Sequence, residues 1–177
     1  FSGDAERAVL TMSGAGQRKE GRTGAGYFGY FSRPGQATRT LLAAIVEIGR
    51  VGDKVLACDW NGDGRETPGV IRGNEWRLRN DLRSGGPAVR FLYGDVGDGF
   101  VCGDWDGNGT ETPGVVRGNQ WLVRNSNRAG PPVAIFRFGA AGQRPVVGDW
   151  NGDGTDTVGT VDGNVWRVRN RNSTGPP

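Results

Sequence analysis

One acidic, glycine-rich loop occurs three times at intervals of 45 residues: Asp59-Trp-Asn-Gly-Asp-Gly64, Asp104-Trp-Asp-Gly-Asn-Gly109 and Asp149-Trp-Asn-Gly-Asp-Gly154. A fixed period of this length marks a repeat architecture, in which each unit buries its apolar face only against its neighbours. Within each loop, carboxylate or amide oxygens stand at positions one, three and five. A glycine at position six permits a sharp bend. This is how a flexible segment wraps a hard, oxygen-seeking cation, and calcium suits it best.

The register extends beyond the loops. Trp76, Trp121 and Trp166 recur inside NEWRLRN, NQWLVRN and NVWRVRN, as do the segments AIVEIG (44–49), VRFLYG (89–94) and AIFRFG (134–139). One period holds four short extended stretches: 100–105, 114–118, 119–125 and 133–139. Gly, Pro, Asn or Asp bounds each of them, and Gly118-Asn119 reads as a tight hairpin turn. Four strands per unit of this length is the pattern of a propeller blade. No stretch sustains helical periodicity, and 33 glycines would weaken any helix. The expected fold is all-β: a propeller-like array of about four four-stranded blades, forming a single repeat domain over 1–177. Residues 44–88, 89–133 and 134–177 are the regular units.

Residues 1–43 fit as a degenerate unit. Laid one period upstream, Ala8–Met12 falls on the strand before the loop and Gly24–Phe28 on the strand after it, while Phe31 takes the place of Trp76. The loop becomes Gly14-Ala15-Gly16-Gln17-Arg18-Lys19, without a carboxylate. Pro177 aligns with Pro132, at the start of a fourth strand, and Phe1-Ser2-Gly3 matches only the tail of one. Three arrangements would cover the raw sheet edge this leaves: a larger parent propeller, a homo-oligomer completing a ring, or a small four-bladed ring. The first two are preferred together.

The longest apolar run, Leu41–Val46, falls far short of a membrane span, so no membrane insertion is expected. A chain that begins at Phe1 without methionine reads as a matured product or a cut piece. Cys58 stands one residue before its loop aspartate and Cys102 two before its own, which puts them on opposite faces of equivalent strands. Opposite faces of adjacent blades can confront each other, so the geometry permits a disulfide; with reversed parity the sulfurs face apart. A bridge would fit a secreted, extracellular setting.

Net charge is +3, but the acids are unevenly placed. Asp59, Asp63, Glu66, Asp104, Asp106, Glu111, Asp149, Asp153 and Asp156 all lie in the three loops. With these neutralised, a surface rich in arginine would attract polyanions. The arginines are scattered, however, so nucleic acid is not the expected partner. Arg79, Arg124 and Arg169, each beside an asparagine, read as solvated strand ends or as pairs with neighbouring blades.

By spacing, the first site uses Asp59, Asn61 and Asp63 with the Arg65 carbonyl at position seven. The second uses Asp104, Asp106, Asn108 and the Thr110 carbonyl, and the third Asp149, Asn151, Asp153 and the Thr155 carbonyl. Position nine is Thr67, Thr112 or Thr157, and position eight is Glu66, Glu111 or Asp156. Position twelve is Val70, Val115 or Thr160, so the bidentate glutamate of a helix-flanked calcium hand is missing. The plainer alternative is a set of side-chain-to-backbone turns.

The runs DWNGDG and DWDGNG, preceded by a short apolar strand and followed by GVI or GVV, resemble FG-GAP and VCBS-type repeats. Such repeats occur in integrin alpha-chain propellers, a fungal propeller lectin family and many secreted bacterial proteins. The resemblance covers residues 44–170 well and 1–43 weakly. It implies a β-propeller with up to three structural Ca2+ ions, each held between the first and second strands of a blade. It carries the ligand role to Asp59, Asn61 and Asp63; to Asp104, Asp106 and Asn108; and to Asp149, Asn151 and Asp153. The family usually has aspartate at position nine, where this chain has threonine with an acid one place earlier.

With no histidine, the chain lacks the commonest general base and the usual zinc ligand, so catalysis is not expected. The leading expectation is a calcium-stabilised, lectin-like module that binds a glycan through Trp60, Trp105 and Trp150 beside the loops, or through Trp76, Trp121 and Trp166. Both tryptophan series suit packing between blades better, with the loop series half exposed. The competing expectation is a structural propeller with a protein ligand, which supplies the missing strand by strand addition.

Overall fold

A computed structural model of the chain describes residues 18–19, 22–23, 48–83 and 85–175, and these form an all-β fold. Three meandering antiparallel sheets follow one another along the chain. The first is β3 (Lys54–Cys58), β4 (Thr67–Arg72), β5 (Glu75–Leu78) and β6 (Val89–Leu92). The second is β7 (Gly99–Gly103), β8 (Thr112–Arg117), β9 (Gln120–Val123) and β10 (Ala134–Arg137). The third is β11 (Arg144–Gly148), β12 (Thr157–Asp162) and β13 (Val165–Val168). Two further strands, β1 (Arg18–Lys19) and β2 (Arg22–Thr23), pair with each other.

Local chemistry sets these boundaries. Strands β5 and β9 alternate half-buried and buried residues, the period of a pleated strand with one face on a core. Strand β4 is buried along nearly its whole length, since both of its faces are covered. Gly118 turns β8 into β9 at φ +63°, with no positive φ at Asn119. That is the two-residue type II′ pattern, whose twist matches the flanking strands.

The first strands β3, β7 and β11 are neighbours from sheet to sheet. Each core therefore straddles two sheets. Trp60, Trp76, Leu78, Phe91 and Tyr93 of the first sheet pack with Cys102 and Val115 of the second. Trp105, Trp121, Phe136 and Phe138 of the second pack with Val147 and Val158 of the third. Full burial of one tryptophan removes roughly 200 Å² from water, on the order of 5 kcal/mol before conformational entropy is counted. Cys58 and Cys102 are joined by a disulfide with Cα atoms 6.6 Å apart, so their parity is the facing one.

Two expectations change. Unit boundaries at 88 and 133 cut each sheet before its last strand, because β6 and β10 pair backward onto β5 and β9. Arg18 and Lys19, read as the end of a loop, instead form β1 against β2. Ala8–Met12, Gly14–Gln17, Gly24–Phe28, Phe31 and the termini lie outside the described residues.

Candidate metal centre

Each acidic loop joins the first and second strands of its sheet and is folded by its first aspartate. The Asp59 Oδ1 accepts the backbone N–H groups of Gly62 at 2.7 Å and Asp63 at 3.1 Å, while Oδ2 accepts that of Gly64 at 2.7 Å. Asp149 repeats this with Gly152, Asp153 and Gly154, and Asp104 holds Asn108 and Gly109. Gly64 has φ +82° and a Cβ there would meet nothing within 4 Å, so its backbone conformation demands glycine, not crowding. At Gly62 both reasons apply: φ is +74°, and a Cβ would stand 2.9 Å from Thr110 Oγ1 of the next loop.

The remaining oxygens cluster at positions three and five. Asn61 Nδ2 donates to Asp63 Oδ2 at 3.2 Å, and Asn151 Nδ2 to Asp153 Oδ2 at 2.9 Å. That amide, and the Thr155 N–H, hold the Asp153 carboxyl below the usual carboxylate range, so it is ionised at neutral pH. In the second loop Asn108 Oδ1 accepts the Thr110 N–H at 2.8 Å, and Asp106 is exposed at position three. The donor set fits a hard dication: all-oxygen, two anionic groups per loop in the first and third and two in the second, on a backbone already bent around them. Asp59 Oδ2 and Asp149 Oδ2 accept one N–H each and keep a lone pair for an ion, whereas Oδ1 of each accepts two. Side-chain turns and ion ligation therefore use the same geometry.

The threonines at position nine, counted among the candidate metal-site residues from the sequence, bond to the backbone after the third strands. Thr67, Thr112 and Thr157 are buried, and their hydroxyls donate to the carbonyls of Arg79 and Arg124 at 2.6 Å and of Arg169 at 2.5 Å.

Two of the acids at position eight, Glu111 and Asp156, turn away from their own loops. Glu111 Oε2 accepts the N–H of Asp59 at 2.8 Å, and Asp156 Oδ2 accepts that of Asp104 at 2.8 Å. The Glu111 and Asp156 N–H groups return to the Asp59 and Asp104 carbonyls, each at 2.8 Å. Burial, then the nearby Asp156 carboxylate, pushes the Glu111 carboxyl well above its ordinary range. Asn127 adds a cross-tie, donating to the carbonyls of Trp60 at 2.8 Å and Glu111 at 3.2 Å. The 45-residue recurrence of an acid at position eight was the available signal, but spacing alone did not say which loop it serves.

The tryptophans beside the loops are not half exposed as a series. Trp60 and Trp105 are buried, and their Nε1–H groups donate to the carbonyls of Thr67 at 2.9 Å and Thr112 at 3.1 Å. Trp150 is part-buried with the same bond to Thr157. Trp76 and Trp121 are buried too, stacked on Phe91 and Phe136.

The repeating arginines are not solvated ends either. Arg79, Arg124 and Arg169 are buried. Arg124 donates to the Pro131 carbonyl at 2.6 Å and lies over the Tyr93 ring of the preceding sheet, as Arg169 does over Phe138. A last cluster, Cys58, Cys102 and Glu111, offers no thiolate, because the sulfurs are bonded to each other.

Comparison of the chain with protein-family models, with curated proteins and with solved structures finds no match. No helix among the described residues is long and apolar enough to cross a membrane.

Proposed function

We propose that the chain is a non-catalytic, calcium-stabilised interaction scaffold of a secreted protein, its sheets serving as blades of a propeller-type array. The observation that carries this reading is the reciprocal bonding of Asp59 with Glu111 and of Asp104 with Asp156. Each acidic loop is thereby tied to the next, so an ion in one loop also stiffens the seam between two sheets. Binding to the folded form alone adds stability in proportion to loading. The sugar reading loses support, because Trp60, Trp105, Trp76 and Trp121 have no free ring face.

Melting temperature in millimolar calcium, against the same protein in chelator, tests the cation. A rise with calcium is expected, and identical melts would overturn the assignment. A glycan array with and without calcium tests the scaffold reading, for which silence is expected. Saturable, sugar-competed signal would instead favour a lectin. One observation keeps that second reading in view: Trp150 is partly exposed beside the third loop.

A further inference from the structure

Every asparagine that precedes a glycine stands in an acidic loop. The pairs are Asn61-Gly62, Asn108-Gly109 and Asn151-Gly152, and the other asparagines all precede residues with side chains. Asparagine is a labile residue, most of all before glycine, where no side chain keeps the next backbone nitrogen from the amide carbon. All three are exposed, so water has access to them. Their glycines cannot be exchanged without strain, since φ is +74° at Gly62, +91° at Gly109 and +87° at Gly152.

In each pair the glycine N–H is held by the first aspartate of the loop. Gly62 donates to Asp59 Oδ1 at 2.7 Å, Gly109 to Asp104 Oδ2 at 2.8 Å and Gly152 to Asp149 Oδ1 at 2.6 Å. The asparagine side chains are tied as well, Asn61 to Asp63, Asn151 to Asp153 and Asn108 to the Thr110 N–H.

We infer that Asn61, Asn108 and Asn151 are latent deamidation sites, which Asp59, Asp104 and Asp149 hold closed in the folded chain. The reaction consumes water alone. The glycine nitrogen loses its proton to solvent and bonds to the asparagine Cγ, the Cγ–Nδ2 bond breaks, and ammonia leaves. The cyclic imide then takes up water. Opening at the Cγ–N bond gives aspartate, and opening at the backbone carbonyl carbon gives isoaspartate, with nothing oxidised or reduced. The first aspartate opposes the opening step, because proton loss would set a second negative charge within hydrogen-bond distance of its carboxylate. Reaction therefore passes through an opened loop, at a rate set by how seldom the loop opens. Isoaspartate would lengthen the backbone inside the turn that the aspartate spans. The inference concerns covalent lifetime and does not rest on calcium.

Peptide mapping by mass spectrometry tests it, during incubation of the whole chain in chelator near neutral pH, with and without urea. Each site is expected to gain aspartate and isoaspartate about tenfold more slowly in the folded chain than in urea. Asp59→Ala is expected to speed the reaction at Asn61, while Asn108 and Asn151 in the same molecules keep their slow rates and report an intact fold. Equal rates with and without urea would overturn the proposal, whether or not that variant folds. So would an Asn61 rate that Asp59→Ala leaves unchanged, because the protection would then belong to the rest of the loop.

Discussion

Glu111 and Asp59 stand 52 residues apart in sequence and exchange two hydrogen bonds across the seam between the first two sheets. The carboxylate of Glu111 takes the N–H of Asp59, and the N–H of Glu111 goes to the Asp59 carbonyl, both at 2.8 Å. Glu111→Ala leaves the part-buried Asp59 N–H without its acceptor, a loss of about 1–3 kcal/mol. Glu111→Gln keeps an acceptor oxygen and is expected to lose less. Urea unfolding of the three proteins checks this, and equal stability would show that the seam is held by packing alone.

The Cys58–Cys102 disulfide crosses the same seam and closes a loop of 44 residues. Breaking it is expected to cost about 2–4 kcal/mol, mostly through the freedom returned to the unfolded chain. Denaturant melts of the intact protein and of a Cys58→Ser, Cys102→Ser double variant measure the difference. Alkylation of the unreduced, unfolded protein is expected to modify neither cysteine.

Asp104 and Asp106 separate loop folding from ion binding. Asp104 holds the backbone N–H groups of Asn108 and Gly109, whereas Asp106 is exposed at position three. Asp106→Ala is therefore expected to shrink the calcium-dependent rise in melting temperature while shifting the melt in chelator by no more than about 0.5 kcal/mol. Asp104→Ala is expected to lower both. A calcium response unchanged in Asp106→Ala would remove that residue from the ligand set.

Much of this was legible in the sequence because the repeat made weak signals add. One Asp-x-Asn-x-Asp-Gly run says little, but three in register located the loops, the four strands per unit and the tryptophans of the third strands. What stayed hidden was direction. Alternation along a strand shows that Cys58 and Cys102 point to opposite faces, but not which faces meet. The acid at position eight was visible at Glu66, Glu111 and Asp156, yet only packing shows that Glu111 and Asp156 reach across to the preceding loop. Arg124 carries a charge that argues for the surface. It is buried because the loop after β9 turns its carbonyls onto the guanidinium and Tyr93 offers a ring face.

Trp121 and Trp166 occupy equivalent positions with unlike burial, which makes them a matched pair. Trp121→Ala removes a fully buried ring stacked on Phe136 and is expected to cost about 3–5 kcal/mol. Trp166→Ala removes a ring that is 46% exposed and is expected to cost less than half as much. Guanidinium melts of the two variants give the comparison. Equal losses would mean that Trp166 is covered in solution.

A carboxylate clasp joins the start of each complete sheet to its second strand. Arg117 Nε and Nη2 donate to the two oxygens of Asp98 at 2.9 and 2.8 Å, and Arg72 holds Asp53 in the same way. Gln143 and Asp162 replace the ion pair at the equivalent place in the third sheet, joined at 3.3 Å. The Arg117 guanidinium, with the Asp95 N–H, holds the Asp98 carboxyl below its ordinary value. A carboxyl depressed in the folded state contributes stability above its unfolded pKa, about 3.9, and loses it as pH falls through the folded value. Asp98→Asn is thus expected to cost roughly 1 kcal/mol near neutral pH, since Arg117 is half exposed and solvent screens the pair. The gap between the two proteins should hold steady down to about pH 5, begin to shrink near pH 4, and close only as the native aspartate protonates at its depressed value. Unfolding free energies measured from pH 3 to 7 would show this. A gap independent of pH would assign the loss to the hydrogen bonds of the Asp98 side chain and not to its charge.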